Sequence, residues 1–444
     1  MIINSLTRVL KSYTILIIFL KTALHHLRKL VYHCKQNSII LMFTNVNYQL
    51  FTFVAQLFSM TIEHLRNEYE QYHEASLFGR YINSDHIKNL IEKHSNNFDV
   101  SVLGKSVLEE EIHFIKVGSG RKKILMWSQM HGNESTTTKA VFDLLNVLAE
   151  SKNDTMKSLL GKCTIGIIPM LNPDGSRAYS RLNANQVDLN RDAQNLSQPE
   201  SRILRHCFEE FKPDFCFNLH GQRTIFSAGA TSKPATVSFL SPAQDVMCSV
   251  TNTRKMAMDV IVKMNQNLQR QIPGQVGIYD DAFNINCVGD TFQALNVPTI
   301  LFEAGHYHDD YDREKVRELI FQSLWVGMAE IIFGDPQGSK ENAYFEIPQN
   351  DKLFYDIIIR KVKLERGDVH QILDIAVQYE EKLQQNQIVF IPKIEKISDL
   401  SGFFGHREID AHKQLVFVED NKVLNEGLAI DFVLINGKKH TLFV

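Results

Sequence analysis

The sequence predicts an α/β fold: a mixed, mostly parallel twisted sheet with helices on both faces, followed by a small C-terminal β-rich domain. Short apolar runs alternate with amphipathic stretches between residues 112 and 220, which is the pattern of strands separated by helices. Polar side chains stand where several of these runs end, as at the carboxyl edge of an open parallel sheet. Beyond the breaker-rich run 334–339 the sequence changes to short β-like runs, which indicates a separate domain.

The individual elements are predicted from periodicity. Two amphipathic patterns predict helices at 64–72 and 84–94. The alternating part predicts strands at 112–117, 124–130, 164–170 and 214–220 and helices at 136–150 and 200–211. Two more helices are expected at 255–270 and 313–332, with an apolar strand at 298–302 between them. In the C-terminal domain we expect strands at 353–359, 387–391, 414–418 and 429–435, and one helix at 370–385.

Three segments are therefore expected: an apolar N-terminal extension over 1–59, a main α/β domain over 60–334 and the β-rich domain over 340–444. The apolar run in the extension stops at Lys21, short of the roughly 20 residues that span a bilayer, and no small-residue cleavage site follows it. We expect no stable membrane span and a functional polypeptide that begins near Met60. A cytoplasmic location is expected, with export left open because of the apolar extension.

Composition narrows the class of partner. The chain has 48 basic and 51 acidic residues, so it lacks the basic surplus of a nucleic-acid-binding protein. Its 6 cysteines are widely scattered, unlike the dense spacing of a disulfide scaffold, and we expect them to be reduced and mostly buried thiols. The sequence indicates no particular oligomeric state.

His131 and Glu134 are the most informative residues, because an imidazole and a carboxylate three positions apart can chelate one metal ion. They lie between a predicted strand and a predicted helix, where active sites sit in open α/β sheets. A catalytic zinc ion takes three protein ligands and keeps a fourth position open, so a third ligand is expected downstream. His220 ends another predicted strand and is the candidate, which predicts a site for one zinc ion.

Further motifs accompany this pair. The run 172–175 (Asn-Pro-Asp-Gly) follows a predicted strand, and a polar stretch with Arg181, Asn190 and Arg191 comes after it. The planar fork of arginine suits recognition of a free carboxylate, and a second guanidinium can stabilise charge that develops in a transition state. Glu303 ends a late apolar strand, where burying a carboxylate without a partner is costly.

On these ordered motifs, residues 117–333 resemble the zinc metallocarboxypeptidase family, which is related to a succinylglutamate desuccinylase and aspartoacylase branch. The resemblance implies a zinc carboxypeptidase-like fold and a hydrolase with one zinc ion. It also implies the role of each residue: zinc binding by His131, Glu134 and His220, polarisation of the scissile carbonyl by Arg181, general base and acid chemistry by Glu303, binding of the terminal carboxylate by Asn190 and Arg191, and closure over the substrate by Tyr279.

Each assignment has an alternative. Glu303 can be the structural partner of a core arginine, and Arg181 and Arg191 can be solvated loop charges. Asp192 departs from the family pattern and can weaken or re-aim carboxylate recognition. Asp188 is expected to orient backbone or a ligand side chain rather than to do chemistry.

Two other groups of residues are less defined by pattern. Asn284, Asn286 and Asp290 hint at a polar pocket for the substrate's side chain. His306 and His308, just past Glu303, are expected in a surface loop.

The leading expectation is a zinc-dependent hydrolase that cleaves an amide bond next to a free carboxylate, as a metallocarboxypeptidase releasing C-terminal amino acids does. An N-acyl amino acid deacylase is the alternative, because the aspartoacylase and desuccinylase relatives have similar ligand motifs. A non-catalytic binding protein that keeps the fold is the second alternative. The substrate is accordingly expected to be a peptide or an N-acyl amino acid.

Overall fold

The computed structural model describes residues 62–366, 369–418 and 424–444. The extension expected over 1–59, the start near Met60 and Cys34 lie outside these residues. No helix in the described part of the chain is long and apolar enough to cross a bilayer. The five described cysteines are free thiols, and Cys163, Cys207 and Cys216 are buried.

The helices and strands follow in chain order. The α-helices are α1 (Ile62–Tyr72), α2 (Ser84–His94), α3 (Thr136–Glu150), α4 (Asp154–Lys162), α5 (Pro173–Ala178), α6 (Pro199–Phe211), α7 (Asn252–Leu268), α8 (Val288–Ala294), α9 (Glu314–Ala329) and α10 (Glu341–Phe345). The strands of the first part are β1 (Asp99–Lys105), β2 (Glu111–Gly118), β3 (Lys122–Ser128), β4 (Cys163–Ile168), β5 (Phe215–Gly221), β6 (Ser227–Ala228), β7 (Val237–Leu240), β8 (Val276–Ile278) and β9 (Thr299–Ala304). The later strands are β10 (Asn350–Asp351), β11 (Phe354–Arg366), β12 (Val369–Gln384), β13 (Gln387–Ser398), β14 (Phe404–Asp410), β15 (Val416–Phe417), β16 (Phe432–Ile435) and β17 (Lys438–Thr441).

The central sheet confirms the mixed, mostly parallel arrangement. Its 8 strands, counted in the described residues, stand in the order β1-β2-β4-β3-β5-β9-β7-β8. The pairs β4/β3, β3/β5, β5/β9 and β7/β8 are parallel, and the other three pairs are antiparallel. Because β3, β5 and β9 are parallel neighbours, their carboxyl ends lie side by side at one edge of the sheet.

Helices cover both faces of this sheet. On one face Cys216 of β5 belongs to a buried cluster with Phe208 of α6 and Phe292 of α8. The next residue, Phe217, points to the other face, where its ring lies against Gly327 of α9. Successive strand residues alternate between faces, so both faces of β5 are buried, as a central parallel strand requires.

The C-terminal region forms two further sheets, with the orders β13-β12-β11-β14 and β15-β16-β17. The helix predicted at 370–385 is wrong, because that segment is strand β12. Its glutamate, lysine and glutamine residues favour a helix locally, but β12 pairs with β11 on one edge and β13 on the other. Alternate residues Ile375 and Val377 enter one buried cluster and Ala376 enters another, which is the period of a strand.

Candidate metal centre

The loop between β3 and α3 holds His131 and Glu134 and is supported by the run 172–175. Asn172 Nδ2 donates a hydrogen bond to the carbonyl of Met130 at 3.1 Å. Gly132 lies directly on the backbone of Gly175, since a Cβ atom at Gly132 would be 1.9 Å from the carbonyl carbon of Gly175. Only glycine permits this approach, so the Asn-Pro-Asp-Gly turn fixes the position of the loop.

His220 and Glu303 come from the two neighbouring strands of the sheet. In the parallel pair β5/β9 they are direct register partners, and both side chains are buried. The loop, β5 and β9 therefore bring three predicted metal ligands and the predicted base to one sheet edge.

The three predicted ligands converge through specific atoms. His131 Nδ1 lies 3.1 Å from His220 Nδ1. Glu134 lies between them, with Oε1 2.9 Å from His131 Nδ1 and Oε2 3.0 Å from His220 Nδ1. In the described residues, these side chains form a group able to hold a metal ion.

This donor set fits zinc. Two imidazole nitrogens and a carboxylate are zinc's usual ligands, and facing nitrogen lone pairs repel one another unless positive charge lies between them. Burial alone would raise the pKa of Glu134, but His131 and His220 outweigh it and hold that pKa well below its ordinary value. Burial lowers the pKa of His220, which favours the neutral imidazole that a metal ion needs.

Asp188 contacts the outer ring nitrogen of His131, the first of the predicted ligands. Its Oδ1 lies 3.0 Å from Nε2 of His131, on the ring edge opposite the converging atoms. The same carboxylate accepts hydrogen bonds from the backbone N–H of Asn190 at 2.9 Å and from Arg181 Nε at 3.1 Å. A carboxylate in this position fixes the orientation and tautomer of a metal-binding histidine.

Arg181 and Glu303 stand beside the ligands. Arg181 Nη1 lies 3.4 Å from Glu134 Oε1, and the arginine side chain is 46% exposed. Glu303 is buried, and its Oε2 has no hydrogen-bond partner among the described residues. Burial, followed by the charge of Glu134, raises the pKa of Glu303 well above its ordinary value.

Asn190 and Arg191 lie at the start of α8 in space. The Asn190 side-chain oxygen accepts a hydrogen bond from the backbone N–H of Val288 at 3.0 Å, which leaves its NH₂ group directed elsewhere. Arg191 donates to the carbonyl of Asn190 at 2.8 Å and is exposed. Asp192 is buried and accepts hydrogen bonds from the backbone of Ser197 and Gln198, so its carboxylate stabilises the following loop.

A cavity of about 720 Å³ joins these residues. Its lining includes every predicted site residue: His131, Glu134, Arg181, Asn190, Arg191, His220, Tyr279 and Glu303. Tyr279 packs on the ring of Phe226, with 5.3 Å between the ring centroids. Burial raises the pKa of Tyr279, and the negative charges of Glu303 and Glu134 raise it further. Asn284 and Asp290 also line the cavity, and burial raises the pKa of Asp290 to about 6.

The surface position expected for His306 is wrong. His306 is buried between the rings of Tyr311 and His406, at centroid distances of 4.6 and 4.3 Å. The turn after β9 folds against the C-terminal sheet, which sequence periodicity does not show. His308 is 70% exposed, as expected.

Four other cavity residues carry no recognisable signal in the sequence: Arg80, Tyr179, Arg313 and Glu381. None belongs to a short motif, and each becomes recognisable only through partners that are distant in the chain.

Comparisons with known proteins give one matching family model and several partly similar relatives. Residues 84–282 match the family model described as zinc carboxypeptidase. The "Probable carboxypeptidase 2" of Trichophyton verrucosum (strain HKI 0517) is 33% identical over 115 residues, which are 26% of this chain and 21% of that protein. The "Gamma-D-glutamyl-L-diamino acid endopeptidase 1" of Lysinibacillus sphaericus is 31% identical over 115 residues, 23% of this chain and 29% of that protein. This chain thus spans about a fifth of the length of the first of these relatives.

Solved structures of similar proteins have lower sequence identity. A putative carboxypeptidase A from Shewanella denitrificans OS-217 is 21% identical, with a TM-score of 0.48 and coverage of 56% of this chain and 68% of that chain. A metallo-carboxypeptidase from Pseudomonas aeruginosa is 16% identical, with a TM-score of 0.45 and coverage of 59% and 70%.

Proposed function

We propose that this chain is a zinc-dependent carboxypeptidase that releases single C-terminal amino acids from peptides, a proposal supported by the match of residues 84–282 to the family model described as zinc carboxypeptidase. The observation that carries the proposal is the convergence of His131, Glu134 and His220 at one sheet edge, with Glu303 as the register partner of His220. One zinc ion held by these three residues is part of the proposal.

Each of these residues has a separate role in the proposed amide hydrolysis. Zinc, when bound, polarises the amide carbonyl and lowers the pKa of water toward about 7. Glu303 takes the proton of the attacking water and returns it to the leaving amine. Arg181, 3.4 Å from Glu134, places a guanidinium where negative charge develops on the carbonyl oxygen, so it binds the transition state more strongly than the substrate.

The substrate's free carboxylate is assigned to Asn190 and Arg191. The exposed Arg191 guanidinium can form two parallel hydrogen bonds to a carboxylate, and Val288 holds the neighbouring Asn190 amide in place. The side chain of the released residue would enter the polar part of the cavity near Asn284 and Asp290.

An N-acyl amino acid deacylase is the second candidate function. The same carboxylate site would serve an acyl amino acid, and the same zinc and glutamate chemistry would cleave its amide bond. The two functions differ in what must fit on the acyl side of the scissile bond.

Product analysis separates the candidates. A protein that starts at Met60 is incubated with short peptides and N-acyl amino acids, with and without a zinc chelator, and products are identified by mass spectrometry. The proposal expects chelator-sensitive loss of single C-terminal residues. Cleavage confined to the acyl amino acids would support the deacylase instead, and zinc binding without any cleavage would support a binding protein.

A further inference from the structure

The C-terminal sheet is fixed to the loop that follows His220. Thr224 accepts a hydrogen bond from His406 Nε2 through its carbonyl at 2.7 Å, and from Gln378 Nε2 through its side chain at 2.8 Å. The backbone N–H of Phe354 donates to the carbonyl of Ile225 at 3.1 Å. The sheet therefore holds a loop that begins just after the third ligand.

Strand β12 of this sheet also contributes to the wall of the cavity. Tyr379 and Glu381 both line it, as residues two positions apart on one side of a strand can. Glu380 lies between them and points to the other side, where its side chain is 36% exposed and forms an ion pair with Lys393 at 2.7 Å.

Glu381 has one occupied and one free oxygen. Its Oε2 accepts hydrogen bonds from Arg80 Nη2 at 3.0 Å and from the hydroxyl of Tyr179. No hydrogen bond from the described residues reaches Oε1, and 27% of the side chain is exposed. Burial would raise the pKa of Glu381, but Arg80 and Tyr179 outweigh it, so the carboxylate is ionised at neutral pH.

Both partners of Glu381 are tied to the metal centre. The carbonyl of Arg80 accepts a hydrogen bond at 2.5 Å from Ser135, the residue after Glu134. Tyr179 precedes Arg181 by two positions in the same loop. Asn190 lines the same cavity but has different partners, since its side-chain oxygen accepts a hydrogen bond from the backbone N–H of Val288 in α8.

The charges that face this region are mixed. Arg80 and Arg313 are cationic and Glu381 is anionic, while the charge of Asp312 raises the pKa of Arg80 and that of Asp310 raises the pKa of Arg313. A wall with both donors and a free acceptor suits a peptide group, which has one N–H and one C=O. A wall with charges of both signs is less suited to binding a single cation or a single anion.

We propose that Glu381 of the C-terminal sheet, with Arg80 and Tyr179, forms a subsite for the peptide backbone on the amino-terminal side of the scissile bond. Once Asn190 and Arg191 hold the terminal carboxylate, the residues preceding the scissile bond must occupy the remaining wall of the cavity. Glu381 Oε1 accepts a backbone N–H from those residues. The substrate class is therefore a peptide with several residues before the bond, and this inference rests on the proposed carboxypeptidase function.

A series of peptide substrates of increasing length tests the subsite. N-acetylated di-, tri- and tetrapeptides that share their two C-terminal residues are hydrolysed by the wild-type chain, Glu381→Ala and the matched control Glu380→Ala. We expect the wild-type kcat/KM to rise about 10-fold from dipeptide to tetrapeptide, the effect of one hydrogen bond to a charged group. In Glu381→Ala the tetrapeptide-to-dipeptide ratio should fall to near 1, whereas Glu380→Ala should keep the wild-type ratio.

The other outcomes are also decisive. A wild-type kcat/KM that does not change with length overturns the subsite and leaves the carboxypeptidase function intact. A Glu381→Ala variant in which the ratio stays at the wild-type value also overturns it, because Glu381 would then only support Arg80. Hydrolysis of N-acyl amino acids alone overturns both proposals. If thermal denaturation shows that Glu381→Ala does not fold, Glu381→Gln replaces it, because an amide whose oxygen stays with Arg80 and Tyr179 presents an NH₂ donor in place of the Oε1 acceptor, and its ratio should also fall to near 1.

Discussion

Replacing Asp188 with Asn should weaken zinc binding without removing a ligand. Asp188 Oδ1 lies 3.0 Å from His131 Nε2 and is the partner that orients this ring. The amide has the same size but no negative charge, so the imidazole loses both its alignment and the support for its basicity.

The expected loss of zinc affinity follows from the kind of hydrogen bond that the substitution removes. Removing a hydrogen-bonding partner behind a metal-bound histidine typically reduces metal affinity about 10- to 100-fold, or about 1.4 to 2.7 kcal/mol. The carboxylate also holds Arg181 Nε and the backbone N–H of Asn190, so kcat/KM should fall more steeply than zinc affinity does.

The assay is competition for zinc against a chromophoric chelator at fixed pH. Asp280→Asn is the matched control, because Asp280 lines the same cavity but its carboxylate bonds the backbone N–H of Ala282. Wild-type zinc affinity in Asp188→Asn would contradict a role of Asp188 in orienting His131. An equal loss in Asp280→Asn would show that the effect is not specific to the carboxylate behind His131.

Three further predictions concern stability and are checked by urea denaturation. Arg313→Leu should cost about 1 to 3 kcal/mol, because it leaves the carbonyl of Gln222 without a donor, whereas the carbonyl of Ala304 keeps its hydrogen bond from the backbone N–H of Gln222; unchanged stability would contradict this. Asp143→Ala should cost about 3 kcal/mol, because the buried Arg317 loses its buried partner and keeps only its second ion pair, with Glu314; a neutral effect would show that Glu314 suffices. Burial raises the pKa of Asp356 to about 6, so the folded state binds its proton more tightly than the unfolded state. This protonation stabilises the folded state by on the order of 3 kcal/mol below about pH 4, and the stabilisation is lost as pH rises through about 6. In Asp356→Asn the free energy of unfolding should no longer fall over this pH range.

The metal centre is accessible from sequence because its residues lie at strand ends. His131 with Glu134, His220 and Glu303 each follow or end an apolar run, and parallel strands bring their ends to one edge. The bounds predicted for the helices at 84–94 and 136–150 agree with the structure. Strand ends in the same region differ by one or two residues, because hydrogen bonding to the neighbouring strand rather than hydrophobicity decides where a strand stops.

Residues that act through distant partners are not accessible from sequence. Glu381 and Arg80 are 301 positions apart, and neither has a local pattern that indicates the other. The burial of His306 depends on His406 of the C-terminal sheet, and the strand β12 depends on pairing along both edges. The position of Asp192 beside Arg191 in the sequence indicates an effect on carboxylate recognition, whereas its carboxylate bonds its own loop.

Some expectations stay predictions. They are the start near Met60, the cytoplasmic location, the division of the chain at 334–340 and the roles of the individual site residues. The contacts of the C-terminal sheet with the loop after His220 give the division a testable consequence, since removal of residues 340–444 should impair zinc-dependent activity as well as stability.

Zinc-dependent hydrolysis with Glu303 as the base is tested by measuring zinc content and peptide hydrolysis together in the wild-type chain and in Glu303→Gln. We expect one zinc ion per chain in both proteins and a fall in kcat of about 100- to 10,000-fold in the variant, the usual contribution of a general base. Hydrolysis near the wild-type rate by zinc-loaded Glu303→Gln would contradict the role of Glu303.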